Sequence, residues 1–180
     1  MLVRRKLIRK TAIELLSANK VKKPPVPIEL IATRLGATII EEPAEDELSG
    51  FLLRDRKKNK IIIGVNENHH ENRRRFTIAH ECGHLLLHDG EELHVDKRWS
   101  GYEVKMRDTQ SSAGTSIDEM EANLFAAELL MPIHLLDVDL AKYLPLSIDD
   151  EDRISEIAAK YEVSAQALTL RLTYLGCIPQ

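Results

Sequence analysis

A chain of 180 residues with 43% hydrophobic and 30% charged side chains has the length of one domain and enough apolar content to bury a core, which excludes whole-chain disorder. No run reaches the roughly 18 consecutive apolar residues of a membrane helix and the opening MLVRRKLIRK leads into no signal-peptide core, so a cytoplasmic protein with no membrane partner is expected. The net charge of −4 is unevenly spread: residues 1–23 hold eight Lys/Arg against one Glu, leaving an acidic remainder that argues against an extended duplex-binding surface.

The first stretch, RRKLIRKTAIELLSAN, sets Leu7, Ile8, Ala12, Leu15 and Leu16 at helical spacing and predicts an amphipathic helix ending near Asn19. KKPPVP cannot continue it. Pro27 then suits the first turn of a second helix, IELIATRLG, with Gly36 as its stop. ATIIEE, SGFLLR and KIIIGV are short β-branched or apolar runs separated by turn material, and they predict a small three-stranded antiparallel sheet. Helical periodicity returns over residues 68–88. Residues 89–115 follow neither period and read as a long loop, which in a compact domain is usually functional. A helix is predicted over 116–130, with Ser116 or Thr115 as cap and Glu119 placed as in a capping box. A shorter helix should follow Met131-Pro132 as far as about Tyr143. The last segment, ISEIAAKYEVSAQALTLRLTYLG, has a helix-turn-helix outline with Ser164 as the second N-cap. The expected organisation is a metal-binding part over 1–145, including the N-terminal helices, and a helical segment over 146–180 packed on it or appended to it.

The chemistry lies in His80-Glu81-Cys82-Gly83-His84, an H-E-x-x-H sequence inside FTIAHECGHLLLH. Histidines at i and i+4 lie one above the other on a helix, so both rings can converge on one cation. Glu81, between them, is directed near that cation without ligating it, where a carboxylate can act as general base. Cys82 then points away and reads as a packed thiol. The two cysteines, Cys82 and Cys177, lack the paired spacing of a thiolate zinc site.

A catalytic zinc needs a third protein ligand. His88 lies roughly 12 Å along the helix axis from His80, too far to share one ion comfortably, and is expected beside the site or at the surface. The better source is EANLFAAE, where Glu121, Phe125 and Glu128 occupy nearly one face and small alanines allow close helix approach. Glu121 is therefore expected as the ligand, with Glu128 as its neighbour or as a salt-bridge residue, and Glu119 as a helix cap. His94, Arg98 and Tyr102, in the segment after the motif helix, are candidates to stabilise an oxyanion.

The pair FTIAHECGHLLLH and, about thirty residues on, EANLFAAELLMP resembles the ImmA/IrrE family of small metallopeptidases. The resemblance also takes in PPVPIELIATRLG, the small sheet and VSAQALTLRLTYLG. It implies an α+β, zincin-like core of packed helices, with His80, His84 and Glu121 holding one Zn2+ and Glu81 as base; Mn2+ also suits a His2Glu site. By the same resemblance the chain is a metallo-endopeptidase acting on a protein substrate, a helix-turn-helix repressor, to switch on phage, mobile-element or stress genes. One feature departs from thermolysin-like enzymes: no Asp follows Glu121 by four residues, and Phe125 stands there instead.

Two other readings compete. A regulatory or sensor module could keep the metal scaffold with little hydrolysis, and intact Glu81 disfavours it. A DNA-binding regulator could use the basic head and the C-terminal unit, but residues 151–180 carry three Lys/Arg against four Asp/Glu, and the second helix of that unit offers only Arg171. Direct nucleic-acid binding is not expected.

Overall fold

A computed structural model of the chain describes residues 2–89, 93–97, 112–143 and 146–178, with the backbone alone for 93–97 and 112–116. In chain order the elements are α1 (Arg5–Ala18), α2 (Ile28–Arg34), β1 (Ala37–Glu42), β2 (Leu48–Asp55), β3 (Lys60–Asn66), α3 (Glu71–Leu87), β4 (Leu93–Lys97), α4 (Ser112–Leu130), α5 (Ile133–Leu140), α6 (Glu151–Tyr161) and α7 (Ala165–Leu175). The class is α+β, as the resemblance implies.

Helix α1 buries Ile8, Ala12 and Leu16, one residue per turn. It stops at Asn19, whose side-chain amide donates to the Leu15 carbonyl at 2.8 Å. Pro27 caps α2, and Gly36 beyond its end takes φ +88°, a conformation only glycine adopts without strain.

The sheet is larger than expected and mixed rather than antiparallel, with strand order β1-β3-β2-β4. Strand β1 runs parallel to β3, pairing Ala37 with Ile61 through to Glu42 with Asn66, while β2 is antiparallel to both β3 and β4. Asn66, at the end of β3, pins the link between β1 and β2. Its amide nitrogen donates to the carbonyls of Ala44, Glu45 and Leu48, and its oxygen accepts from the backbone N–H of Ala44 and Asn68. The link after β1 is thus drawn across the end of β3, and β2 enters on the far side instead of pairing with β1. Strand β4 falls within the stretch that reads as a loop from sequence. It exists because β2 presents an open backbone edge there, a tertiary cause with no local signature.

One face of the sheet, through Leu52, Ile63 and Val65, joins Ile78, Ala79 and Cys82 of α3 and Phe125, Ala126 and Leu129 of α4 in a single buried cluster. Helix α3 is buried nearly all round, from Arg75 to His84 apart from Phe76. Helix α4 crosses it closely at Gly83, where a Cβ would stand 3.0 Å from Ala122 Cα and 3.2 Å from its carbonyl oxygen. Helix α4 begins at Ser112, four residues before the expected cap, so Ser116 is inside the helix and Glu119 is in its interior rather than in a capping box.

The C-terminal pair matches its outline: α6 ends at Glu162 in the left-handed region, and Ser164 caps α7 by accepting from the Ala167 N–H at 3.1 Å. Ile154, Ile157, Tyr161, Leu168 and Leu172 belong to the same buried cluster as the rest of the core. Among the described residues no helix is long and apolar enough to cross a membrane.

Candidate metal centre

The i, i+4 spacing on α3 brings the Nε2 atoms of His80 and His84 to 2.9 Å from one another, with both residues buried. From α4, the Glu119 carboxylate faces the same point, one oxygen 3.3 Å from His80 Nε2 and the other 3.2 Å from His84 Nε2. The ligand atoms of all three residues lie within 4.8 Å of one another. Two imidazoles and a carboxylate converging in a buried place form a donor set that fits a divalent cation such as zinc, for which three protein ligands leave a fourth position for water or substrate. Nitrogen and oxygen donors also suit manganese.

Glu119 thus stands where Glu121 is expected from sequence. Successive helical residues turn by 100°, so positions 119 and 121 face nearly opposite ways and cannot share a centre. Glu121 instead meets the start of α1 and the end of α3. Its Oε1 accepts from the Arg4 backbone N–H at 2.7 Å, both oxygens accept from Arg4 Nε at 3.0 and 3.1 Å, and Oε2 lies 3.1 Å from His88 Nε2. The hydrogen bonds from the Arg4 side chain outweigh burial and hold the Glu121 carboxyl down to about 2.

Asn123 is a residue that sequence reasoning missed. It follows Glu119 by four positions, and its Oδ1 lies 3.1 Å from His80 Nδ1. There it accepts the ring N–H and leaves the Nε2 lone pair directed at the centre. The signal was present as Glu119-x-x-x-Asn123, but a search for a partner four residues after Glu121 meets only Phe125, which is fully buried in the core.

Glu81 is completely buried in the turn of α3 between the two histidines. Arg54 of β2, also missed, donates through Nη2 to the carbonyls of His84 at 2.6 Å and His88 at 3.2 Å, which places a cation on the C-terminal end of α3. Its charge reaches Glu81 electrostatically. Cys82 packs into the core as expected, and burial pushes its thiol up to about 12.

His88 is beside the site rather than in it: its Nδ1 lies 3.2 Å from His84 Nδ1. Glu128 is a salt-bridge residue, not a neighbour of the histidines. It binds Arg171 of α7 through both oxygens, at 2.7 and 3.1 Å, and Arg9 of α1 at 3.2 Å. Arg98 and Tyr102 lie outside the described residues, as does the side chain of His94.

An α+β frame that presents H-E-x-x-H on one helix and a carboxylate from the next defines the metallopeptidase class of fold. The chain belongs to the peptidase family M78, the IrrE N-terminal-like domain, whose pattern matches residues 32–173. It is 33% identical over 106 residues to "Uncharacterized immunity region protein 2" of Bacillus phage phi105, covering 59% of this chain and 58% of that protein. It is 29% identical over 118 residues to "Radiation response metalloprotease IrrE" of Deinococcus radiodurans, covering 66% of this chain and 32% of that protein. To "Metallopeptidase ImmA" of Bacillus subtilis it is 28% identical over 131 residues, covering 72% of this chain and 66% of that protein. The matches therefore span from about a third to two thirds of these relatives' lengths. A solved "Mycobacterium tuberculosis transcriptional regulator" shares the fold over 92% of this chain and 46% of its own, with a TM-score of 0.62 at 15% identity.

Proposed function

We propose that the protein is a cytoplasmic zinc endopeptidase that cleaves one particular protein, a helix-turn-helix transcriptional repressor, and so derepresses phage, mobile-element or stress genes. The observation that carries this reading is the convergence of His80 Nε2, His84 Nε2 and the Glu119 carboxylate within 3.3 Å of one another, with Glu81 buried alongside. The repressor as substrate is what the resemblance to the ImmA/IrrE family implies, and one relative is named for a phage immunity region.

In this reading His80, His84 and Glu119 hold one Zn2+, in place of the His80, His84 and Glu121 set expected from sequence; Mn2+ would fit the same donors. Bound there, the metal supplies Lewis acidity, polarising the scissile carbonyl and lowering the pKa of a water towards about 7. Glu81 takes the proton of the attacking water on its carboxylate and passes it to the departing amine. Asn123 holds the His80 ring in the tautomer that leaves Nε2 directed at the centre. Arg54 fixes the last turn of α3, and with it His84.

Residues 146–180 enter this reading as a packed helical segment and not as a DNA reader. Arg171, the cation of α7 that a phosphate would need, is buried and occupied by Glu128.

The test is metal analysis of the purified protein together with incubation of wild type and Glu81→Gln with a co-encoded repressor. We expect one equivalent of metal in both, with cleavage by Glu81→Gln reduced about 10²–10⁴-fold. Glu119→Gln should lose stoichiometric metal, whereas Glu121→Gln should still reach one equivalent at saturating zinc. Equal cleavage by wild type and Glu81→Gln would remove Glu81 as base, and metal retained by Glu119→Gln would remove Glu119 as ligand.

A further inference from the structure

The contacts of His88 continue away from the metal centre as an unbroken line: His84 Nδ1 to His88 Nδ1 at 3.2 Å, His88 Nε2 to Glu121 Oε2 at 3.1 Å, and Glu121 to Arg4. A carboxylate only accepts, so His88 Nε2 must carry the hydrogen that faces Glu121. A His84 that offers its Nε2 to a metal holds its hydrogen on Nδ1, so between the two rings His84 Nδ1 donates and His88 Nδ1 accepts. A His84 protonated at Nδ1 has its Nε2 lone pair facing His80 and Glu119, as a metal ligand requires.

We propose that His88 and Glu121, clamped by Arg4, are positioning residues that set the tautomer and ring orientation of His84. This rests on the proposed function in so far as His84 is taken as a ligand. It assigns to His84 the service that Asn123 performs for His80. The two imidazoles are thus oriented by unlike partners, an amide from α4 on one side and a second imidazole backed by a carboxylate on the other.

Arg4 gives the arrangement its anchor. It holds Glu121 by its backbone N–H and its guanidinium, and its Nη2 also donates to the Leu87 carbonyl at 3.0 Å, at the last residue of α3. The start of α1 is therefore tied to α3 and α4 at one point. Arg4 lies outside the 32–173 stretch matched to the family. His88, Asp118 and Glu121 also bring ligand atoms within 4.8 Å of one another, like a second cation cluster. The guanidinium already occupies the Glu121 oxygens and supplies the positive charge there, so the group serves as a relay and a single metal is expected per chain.

The experiment uses the full chain loaded with zinc. Zinc affinity is measured by chelator competition for wild type, His88→Phe, His88→Gln and Arg4→Gln, and the imidazole tautomers of the wild type are read by 15N NMR. His88→Phe should bind zinc about 10–100-fold more weakly, the usual effect of losing a group that orients a ligand. His88→Gln should recover most of that loss, because its amide oxygen can accept from His84 and its amide nitrogen can donate to Glu121. A merely space-filling role for His88 predicts no such rescue. The NMR spectrum should show the His88 hydrogen on Nε2, facing Glu121, with Nδ1 accepting from His84, a readout that holds even if His88→Phe fails to fold. Zinc affinity within twofold of wild type in folded His88→Phe, a hydrogen on His88 Nδ1, or two bound equivalents of zinc would each overturn the inference alone. A wild type that binds no zinc would overturn the proposed function itself.

Discussion

At the scale of single residues, the choice between Glu119 and Glu121 shows how much a two-residue step matters on a helix. Both are acids on α4, yet one faces two histidines and the other faces an arginine, and each environment gives a different chemistry. Asn123 should matter through its bond to the His80 ring. Asn123→Ala frees the His80 ring to turn, and zinc affinity measured by chelator competition should fall about tenfold, with the fold unchanged by circular dichroism. The two thiols should also separate. Cys82 is fully buried with its thiol pushed up to about 12, whereas Cys177 is half-buried. Under native conditions at pH 8, mass spectrometry after alkylation should find label on Cys177 and none on Cys82.

At the scale of elements, the distance between α3 and α4 decides whether Glu119 reaches the histidines, and Gly83 sets that distance. Replacing it by alanine brings a helix-propensity gain of about 1 kcal/mol against tight contacts to Ala122 and to Phe125 Cδ1 at 3.2 Å, so the two effects nearly cancel. Valine adds two methyl groups to the same gap and has little propensity gain to offset them. Gly83→Val should destabilise the fold by about 1–3 kcal/mol in urea unfolding and weaken zinc binding as α4 moves outward.

The junction of α5 and α6 carries a pH dependence. Burial alone would raise the Asp139 carboxyl, but hydrogen bonds from Lys160 and Tyr161 outweigh it and hold the group below its ordinary value. Burial, reinforced by the 2.9 Å bond to Asp139, drives the Tyr161 hydroxyl upward. A depressed acid stabilises the fold above its unfolded value and loses that contribution as pH falls. A raised phenol stabilises below its unfolded value and loses its contribution as pH rises. Stability should therefore be level between about pH 4 and pH 10 at this junction. Asp139→Asn should shallow the acid limb of urea-unfolding stability against pH, and Tyr161→Phe the alkaline limb.

At the scale of the whole molecule, Glu128 joins α4 to α7 through Arg171 and to α1 through Arg9, so three helices distant in sequence meet on one carboxylate. Glu128 and Arg171 are both buried, and removing one partner leaves the other charge uncompensated. Glu128→Ala should cost about 3–5 kcal/mol in urea unfolding, well above an exposed ion pair, with zinc stoichiometry retained. The sequence alone determined the α+β class, the helix stops at Asn19 and Gly36, the Ser164 cap and the converging pair His80 and His84, because periodicity, capping and i, i+4 spacing are local rules. It could not determine which acid of α4 meets that pair, since the answer depends on how α4 is rotated against α3, a rotation set by the Gly83–Ala122 contact and by Arg4 claiming Glu121. Nor could it show that β1 pairs with β3, that β4 exists, or that Arg54 and Asn123 serve the two histidines. Those features are made by residues far apart in the chain, and only packing brings them together.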